Sequence, residues 1–332
     1  VHWFDAHLDI AYLALAGRNL GTHDPALAGG PHPPAALTIP ALQRAGVTRV
    51  LATIFTEAIE PGKPCAEPQQ YAQGDAASAA RCGRAQLDWY ARHAPDLGLG
   101  LSAQASTPLR ADLLVECADP IAGAHELAHW HAAGVRAIGL TWVGQGRYAG
   151  GNAVRTGLSG DALPLLLEMA RLGIVPDVSH LSDRSFDDLC EATGARIIAS
   201  HSNARALLGE AAHGVNQRHL RDAQIRAIAQ RDGVIGLNLF SAFLDPSCRA
   251  SGRATVAQAI DHVEHVCMLT GSHAHVGLGS DLDGGFAADR LPAGINSPTD
   301  YERLADELRR RGWSDGQIAQ FAHANWERVF GA

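Results

Sequence analysis

Short apolar runs separated by amphipathic stretches recur along the whole chain. Runs near residues 4–9, 49–55, 112–116, 135–142, 174–178, 196–199, 233–240 and 275–280 have the length of strands. Arg49-Val50-Leu51-Ala52-Thr53-Ile54-Phe55 is apolar almost throughout, as expected of a strand covered on both faces in a parallel sheet. Leu99–Ser102 reads as a short extra strand. Helical patterns fill the gaps at about 40–45, 71–93, 121–133, 161–172, 183–193, 222–231 and 256–271, with Gly46, Gly134 and Gly173 as stops. From Ser297 to Phe330 the pattern predicts two helices broken at Gly312, the second capped by Ser314. Strand and helix alternating eight times predict an α/β fold, a (β/α)8 TIM barrel with C-terminal helices, and residues 1–332 as a single domain. The competing architecture is an open doubly wound sheet, but no early strand is followed by the G-x-G-x-x-G turn that such a fold carries.

Barrel chemistry gathers at the C-terminal ends of the strands. The first strand ends in Phe4-Asp5-Ala6-His7-Leu8-Asp9. In extended chain, residues two apart share a face, so His7 and Asp9 converge. The third strand ends at Glu116, the fifth runs into Asp177-Val178-Ser179-His180, the sixth into Ser200-His201-Ser202 and the eighth into Asp281-Leu282-Asp283. Glu57 lies just past the second. Neutral imidazole and carboxylate together suit zinc or a similar divalent ion. The set divides into two metal sites, His7 with Asp9 and His180 with His201, and Glu116 is best placed to bridge them. Two ions so placed share a hydroxide and polarise a carbonyl, an arrangement that hydrolyses amides, esters or phosphoesters. Asp281 then sits over the water as general base and proton shuttle.

Composition narrows the choice. With 46% hydrophobic and 19% charged residues the chain reads as a soluble globular protein, and its net charge of -8 argues against nucleic acid or an anionic membrane as partner. No apolar run is long enough to span a membrane. The six cysteines are scattered without C-x-x-C spacing, so they read as reduced thiols of a cytoplasmic protein. Lys63 is the only lysine and is not at a strand end, which removes a carbamylated lysine as bridge. His125-Glu126-Leu127-Ala128-His129 matches H-E-x-x-H, yet Ala132 and Val135 stand where the longer zinc-protease motif needs Gly and His. This segment is therefore expected to be a solvated face of an outer helix.

Taken together, Asp5-Ala6-His7-Leu8-Asp9, Val115-Glu116-Cys117-Ala118-Asp119, Asp177-Val178-Ser179-His180, Ser200-His201-Ser202 and Gly279-Ser280-Asp281-Leu282-Asp283-Gly284 resemble the membrane (renal) dipeptidase family, peptidase family M19 of the amidohydrolase superfamily. The resemblance spans essentially the whole chain. It implies two zinc ions: His7 and Asp9 on one, Glu116 bridging, His180 and His201 on the other. It implies Asp281 as the acid after the last strand. It further implies Arg218, in Asn216-Gln217-Arg218-His219-Leu220, as the residue that holds the substrate carboxylate. Cys117 stands where the family usually has glycine. Where better-known members place a substrate-binding histidine after the fourth strand, this chain has Thr141-Trp142. Trp142, with Tyr148 nearby in the Gly-rich loop 144–160, is expected to wall the substrate pocket instead. The implied activity is hydrolysis of dipeptides, with tolerance of a C-terminal D-residue. The alternative is hydrolysis of N-acyl amino acids or another small amide. A homodimer is the family-level expectation. So is a cytoplasmic protein, since neither a leader nor a lipid anchor is read in the chain.

Overall fold

Val50 to Ile54 are fully buried, and this apolar run lies at the centre of the sheet it was expected to join. The computed structural model describes residues 1–101, 107–209 and 217–331. Its strands are β1 (Trp3–Leu8), β2 (Val47–Ile54), β3 (Glu57–Ile59), β4 (Gln70–Ala72), β5 (Leu99–Leu101), β6 (Leu109–Val115), β7 (Val135–Gly139), β8 (Val175–Asp177), β9 (Ile235–Leu237) and β10 (Val276–Leu278). All but β3 and β4 form one parallel sheet in the order β8-β7-β6-β2-β1-β10-β9, with β5 also paired to β6. β3 and β4 pair separately.

The sixth expected strand, 196–199, is reduced to isolated parallel bridges, Asp177 to Ile198 and Ala199 to Ile235. Those bridges touch the strands at the two ends of the sheet order. The sheet curls around its own apolar side chains: Phe4, Ala6, Leu51, Leu114, Ala137, Ile198 and Val234 pack together. The fold is thus mixed α/β with a curled parallel sheet.

Helices α1 (Ile10–Leu15), α2 (Ile39–Arg44), α3 (Ala76–Arg92), α4 (Leu127–Ala132), α5 (Ala162–Leu172), α6 (Asp183–Ala192), α7 (Asp222–Gln230), α8 (Ser241–Leu244) and α9 (Val256–Thr270) connect the strands. They bury their apolar faces in a second, larger cluster. After β10 come α10 (Glu302–Arg310), α11 (Asp315–Ala319) and α12 (Asn325–Phe330), the last two joined by a π turn. Ser314 accepts from the Gln317 N–H at the start of α11, and Ser182 does the same for Ser185 in front of α6.

Some boundaries differ from expectation. The helix expected from Tyr71 starts at Ala76, because Gln70–Ala72 pairs with β3 and Asp75 then caps α3 through the Ser78 N–H. β7 stops at Gly139, where a Cβ would lie 2.5 Å from the Glu116 carbonyl oxygen. Of the stretch Leu99–Ser102, Leu99–Leu101 is β5, and Ser102 falls outside the described residues.

α12 closes the sheet at the end opposite the strand-end carboxylates. Trp326 is fully buried in the inner cluster and its indole N–H donates to the Leu278 carbonyl at 3.0 Å. Gly277 leaves room for it, since a Cβ there would sit 2.2 Å from the indole nitrogen. Trp326→Ala is therefore expected to cost about 3–5 kcal/mol of stability. Denaturant unfolding followed by tryptophan fluorescence and circular dichroism checks this.

Candidate metal centre

The backbone leaves β1 at Leu8, and Asp9 stands at the N-terminus of α1 rather than in the strand. The pairing of β1 with β2 also shifts register between Asp5 and Leu8. His7 and Asp9 converge nonetheless, with His7 Nε2 3.8 Å from Asp9 Oδ1. The cause is an irregular strand end and a turn, not simple alternation.

Glu116, one residue past β6, is where the imidazoles meet. Its Oε1 lies 3.2 Å from His180 Nε2, 3.6 Å from His7 Nε2 and 3.6 Å from His201 Nε2. The Nε2 atoms of His180 and His201 are 3.0 Å apart. Asp281 Oδ1 is 4.0 Å from His7 Nε2, and Asn238 Nδ2 donates to Asp281 Oδ2 at 2.8 Å. Two groups, His7–Glu116–His201 and His7–Asp9–Asp281, have ligand atoms close enough to share an ion. His180 and Asp281 have φ of 67° and 61°, a left-handed backbone uncommon for non-glycine residues, which Asp283 shares at 61°.

The hydrogen bonds around the cluster fix which ring nitrogens face inward. Ser200 Oγ donates to Asp177 Oδ2 at 2.5 Å. With its proton so committed, it can only accept from His201 Nδ1 at 2.8 Å and His7 Nδ1 at 3.2 Å. His180 Nδ1 donates to Asn152 Oδ1 at 3.1 Å. All three rings thus carry hydrogen on Nδ1 and turn a bare Nε2 lone pair toward Glu116, the form a metal requires. Among the described residues His7 Nε2 has no hydrogen-bond partner although it is buried. Burial, reinforced by the charge of Arg218, holds His7 and His180 well below the usual histidine range, and burial does the same for His201.

The carboxylates are displaced the other way. Burial and the neighbouring charges of Asp9 and Asp281 push Glu116 well up. Burial and Asp9 do the same to Asp281. Burial raises Asp9 to about 6 against the opposing bond from the Thr53 hydroxyl. Crowded acids beside neutral imidazoles are what a divalent cation relieves, so the residues fit such an ion.

Asp177 and Asp5 support the strand ends in the same way. Asp177 accepts from the Ser200 N–H at 2.9 Å as well as from its hydroxyl. Asp5 accepts from the N–H of Ser280 at 2.8 Å and its hydroxyl at 2.5 Å. Asp283 is likewise structural, paired with Arg18 and the N–H groups of Ala36 and Leu37. The sequence motifs contain Asp177 and Ser200, but no role was legible for them. Thr53, Asn152 and Asn238 carried no signal at all. Ser200→Ala removes the acceptor that sets two tautomers and should weaken divalent-metal binding about 10- to 100-fold, measured by competition with a chromophoric chelator.

The cluster opens into a cavity of about 600 Å³. Arg218 lines it, buried, donating to Ser202 Oγ at 2.9 Å and to the His201 carbonyl at 2.7 Å, its guanidinium over the Phe243 ring. Trp142 also lines it, 5.1 Å from Phe55 and 5.9 Å from His180 between ring centres. Tyr148 does not reach the cavity. It is buried elsewhere and its hydroxyl donates to the Ile121 carbonyl at 2.6 Å, which corrects the expectation that it walls the pocket. Asn216 lies outside the described residues. His125 and His129 are exposed on the outer layer, and Glu126 is engaged by the Ala122 N–H and by Arg84. The H-E-x-x-H segment therefore forms no metal group among the described residues. Lys63 pairs with Glu60 at the surface.

A parallel α/β scaffold carrying a buried histidine–carboxylate cluster at its strand ends defines the class as that of metal-dependent hydrolases. More particularly, the chain belongs to the membrane dipeptidase family, peptidase family M19, whose pattern it matches over residues 2–332. A Klebsiella pneumoniae protein encoded in the pqqA 5' region is 30% identical over 254 residues, covering 72% of this chain and 90% of that protein. Dipeptidase aclJ of Aspergillus oryzae is 31% identical over 209 residues, covering 62% of this chain. The match spans only 47% of the length of the Aspergillus relative.

Among solved structures, a metallopeptidase of Rhodobacter sphaeroides, liganded with a phosphinate mimic of the dipeptide L-Ala-D-Ala, superposes with a TM-score of 0.77 at 25% identity, covering 99% of this chain and 98% of that one. The M19 metallopeptidase dipeptidase AC gives 0.76 at 26% identity, covering 100% and 99%. No helix among the described residues is long and apolar enough to cross a membrane.

Proposed function

We propose that the protein is a binuclear zinc dipeptidase. The observation that carries this reading is the convergence of three imidazole Nε2 atoms on one oxygen of Glu116, inside a cavity that also holds Asp281 and Arg218. His7 and Asp9 would hold one ion, His180 and His201 the other, with Glu116 between them. When bound, such a pair supplies Lewis acidity at the carbonyl and an acidified water.

The chain's own residues do the rest. Arg218 binds the substrate carboxylate through its guanidinium fork and so sets the scissile bond beside the cluster. Asp281, turned inward and steadied by Asn238, takes the proton of the attacking water and passes it to the leaving amine nitrogen. Trp142 and Phe55 exclude water along one wall. The likeness to a structure holding an L-Ala-D-Ala mimic supports a tolerance for a C-terminal D-residue.

Hydrolysis of N-acyl amino acids is the second reading, favoured by Trp142 at a position where a family histidine is expected. In the same proposal the bridges of 196–199 complete a closed (β/α)8 barrel, residues 1–332 act as a single domain, and the protein is a cytoplasmic homodimer.

Metal removal tests the reading. Dialysis against a strong chelator should abolish dipeptide hydrolysis. Titration with Zn²⁺ should restore it with an endpoint at two equivalents per chain. Full activity in the chelated protein, confirmed free of metal by mass spectrometry, would refute the metal centre.

A further inference from the structure

The cavity is asymmetric in charge. Besides its histidines, the described residues that line it include the acids Asp9, Glu57, Glu67, Glu116 and Asp281 and one arginine, Arg218. Asp9, Glu116 and Asp281 belong to the metal centre. Glu57 and Glu67 do not, and nothing in the cluster neutralises them.

They also sit away from Arg218. Arg218 is bonded to His201 and Ser202, directly after the 196–199 segment that bridges both ends of the sheet order. Glu57 starts β3, just past β2, and β2 is the middle strand of that order. The carboxylate clamp and the surplus acids therefore stand on opposite sides of the metal centre.

The acidic side is built, not incidental. Gln70 Nε2 donates to Glu57 Oε2 at 2.9 Å and Gln69 Nε2 does so at 3.4 Å, which leaves Glu57 Oε1 without a hydrogen bond among the described residues. Gln69 lines the same cavity and is only 4% exposed, yet its Oε1 has no partner among the described residues. A buried amide oxygen left unpaired costs stability unless a donor arrives. Tyr12 lies at this pole too: burial and the charges of Asp9, Glu67 and Glu57 push its hydroxyl up to about 12. The group that fits is a cation carrying several N–H donors.

We propose, resting on the dipeptidase reading above, that Glu57, Glu67 and Gln69 form a subsite for a cationic side chain on the N-terminal residue of the substrate. With the C-terminal carboxylate on Arg218 and the scissile carbonyl at the metal centre, the N-terminal side chain extends toward this pole. Lysyl- and arginyl-dipeptides are the preferred class.

The test compares Lys-Ala with norleucyl-Ala, which has a side chain of similar length without the charge. On zinc-loaded wild type, kcat/KM is expected to favour Lys-Ala by at least about 10-fold. The ratio should fall toward one in Glu57→Gln/Glu67→Gln and shrink as salt rises. A wild-type ratio near one, or a ratio unmoved by the double substitution, overturns the subsite. Calorimetric binding of the same two dipeptides separates this from the parent reading. If neither is cleaved but Lys-Ala binds at least about 10-fold tighter in a Glu57- and Glu67-dependent way, the dipeptidase reading fails and the subsite stands. If neither is cleaved and both bind alike, the subsite falls as well.

Discussion

Replacing His180 and His201 together by alanine is expected to lower kcat/KM for dipeptides by at least about 10³-fold and to strip zinc from the protein. Both rings are buried, their Nε2 atoms face each other at 3.0 Å, and both point at Glu116 Oε1. Without them an ion on that side would lose both imidazole ligands, and Glu116, already pushed up by burial and its acidic neighbours, would take up a proton in its place. Zinc content by mass spectrometry and dipeptide kinetics are the readouts, with circular dichroism to establish folding. His125→Ala is the comparison, since that ring is exposed on the outer layer. Survival of activity in the double substitution, with its loss in His125→Ala, would move the chemistry to the H-E-x-x-H segment.

Asp281→Asn carries the second large effect. The asparagine keeps the volume and can still meet Asn238, but it cannot accept a proton. A loss of about 10²- to 10⁴-fold in kcat is expected, with KM and zinc content nearly unchanged. Asp281 Oδ1 is 4.0 Å from His7 Nε2 and also falls within a group that could hold an ion. The two roles separate in the data. Loss of zinc alongside kcat would make Asp281 a ligand, and unchanged kcat would remove it from proton transfer.

What the sequence made legible follows from where the energetics are local. The central strand at 49–55 announced itself because a strand buried on both faces must be apolar throughout. The strand-end histidines were visible because imidazole beside carboxylate is costly to bury without a purpose. The 196–199 segment was harder: its few bridges are made with β8 and β9, strands set by tertiary packing. Tyr148 was misjudged because chain proximity to Trp142 says nothing about where a hydroxyl finds its acceptor, here Ile121.

The supports were harder still. Asp177 and Ser200 are 23 residues apart, and their shared hold on His7 and His201 appears only when the strands lie side by side. The same is true of the wall from Glu57 to Gln70. It reads as a Pro-rich loop, yet β3 and β4 fold it back on itself and bring Gln70 onto Glu57. No period in the sequence reports such a pairing.

The central claim is that this metal centre cleaves free dipeptides with their carboxylate held by Arg218. Amino-acid release by the zinc-loaded protein, from one dipeptide in free, N-acetylated and C-amidated form, tests it most directly. The account predicts rapid release from the free dipeptide and a loss of at least about 10²-fold on amidation, because the carboxylate no longer meets the guanidinium. Equal cleavage of the amidated form, or preference for the acetylated one, would contradict it.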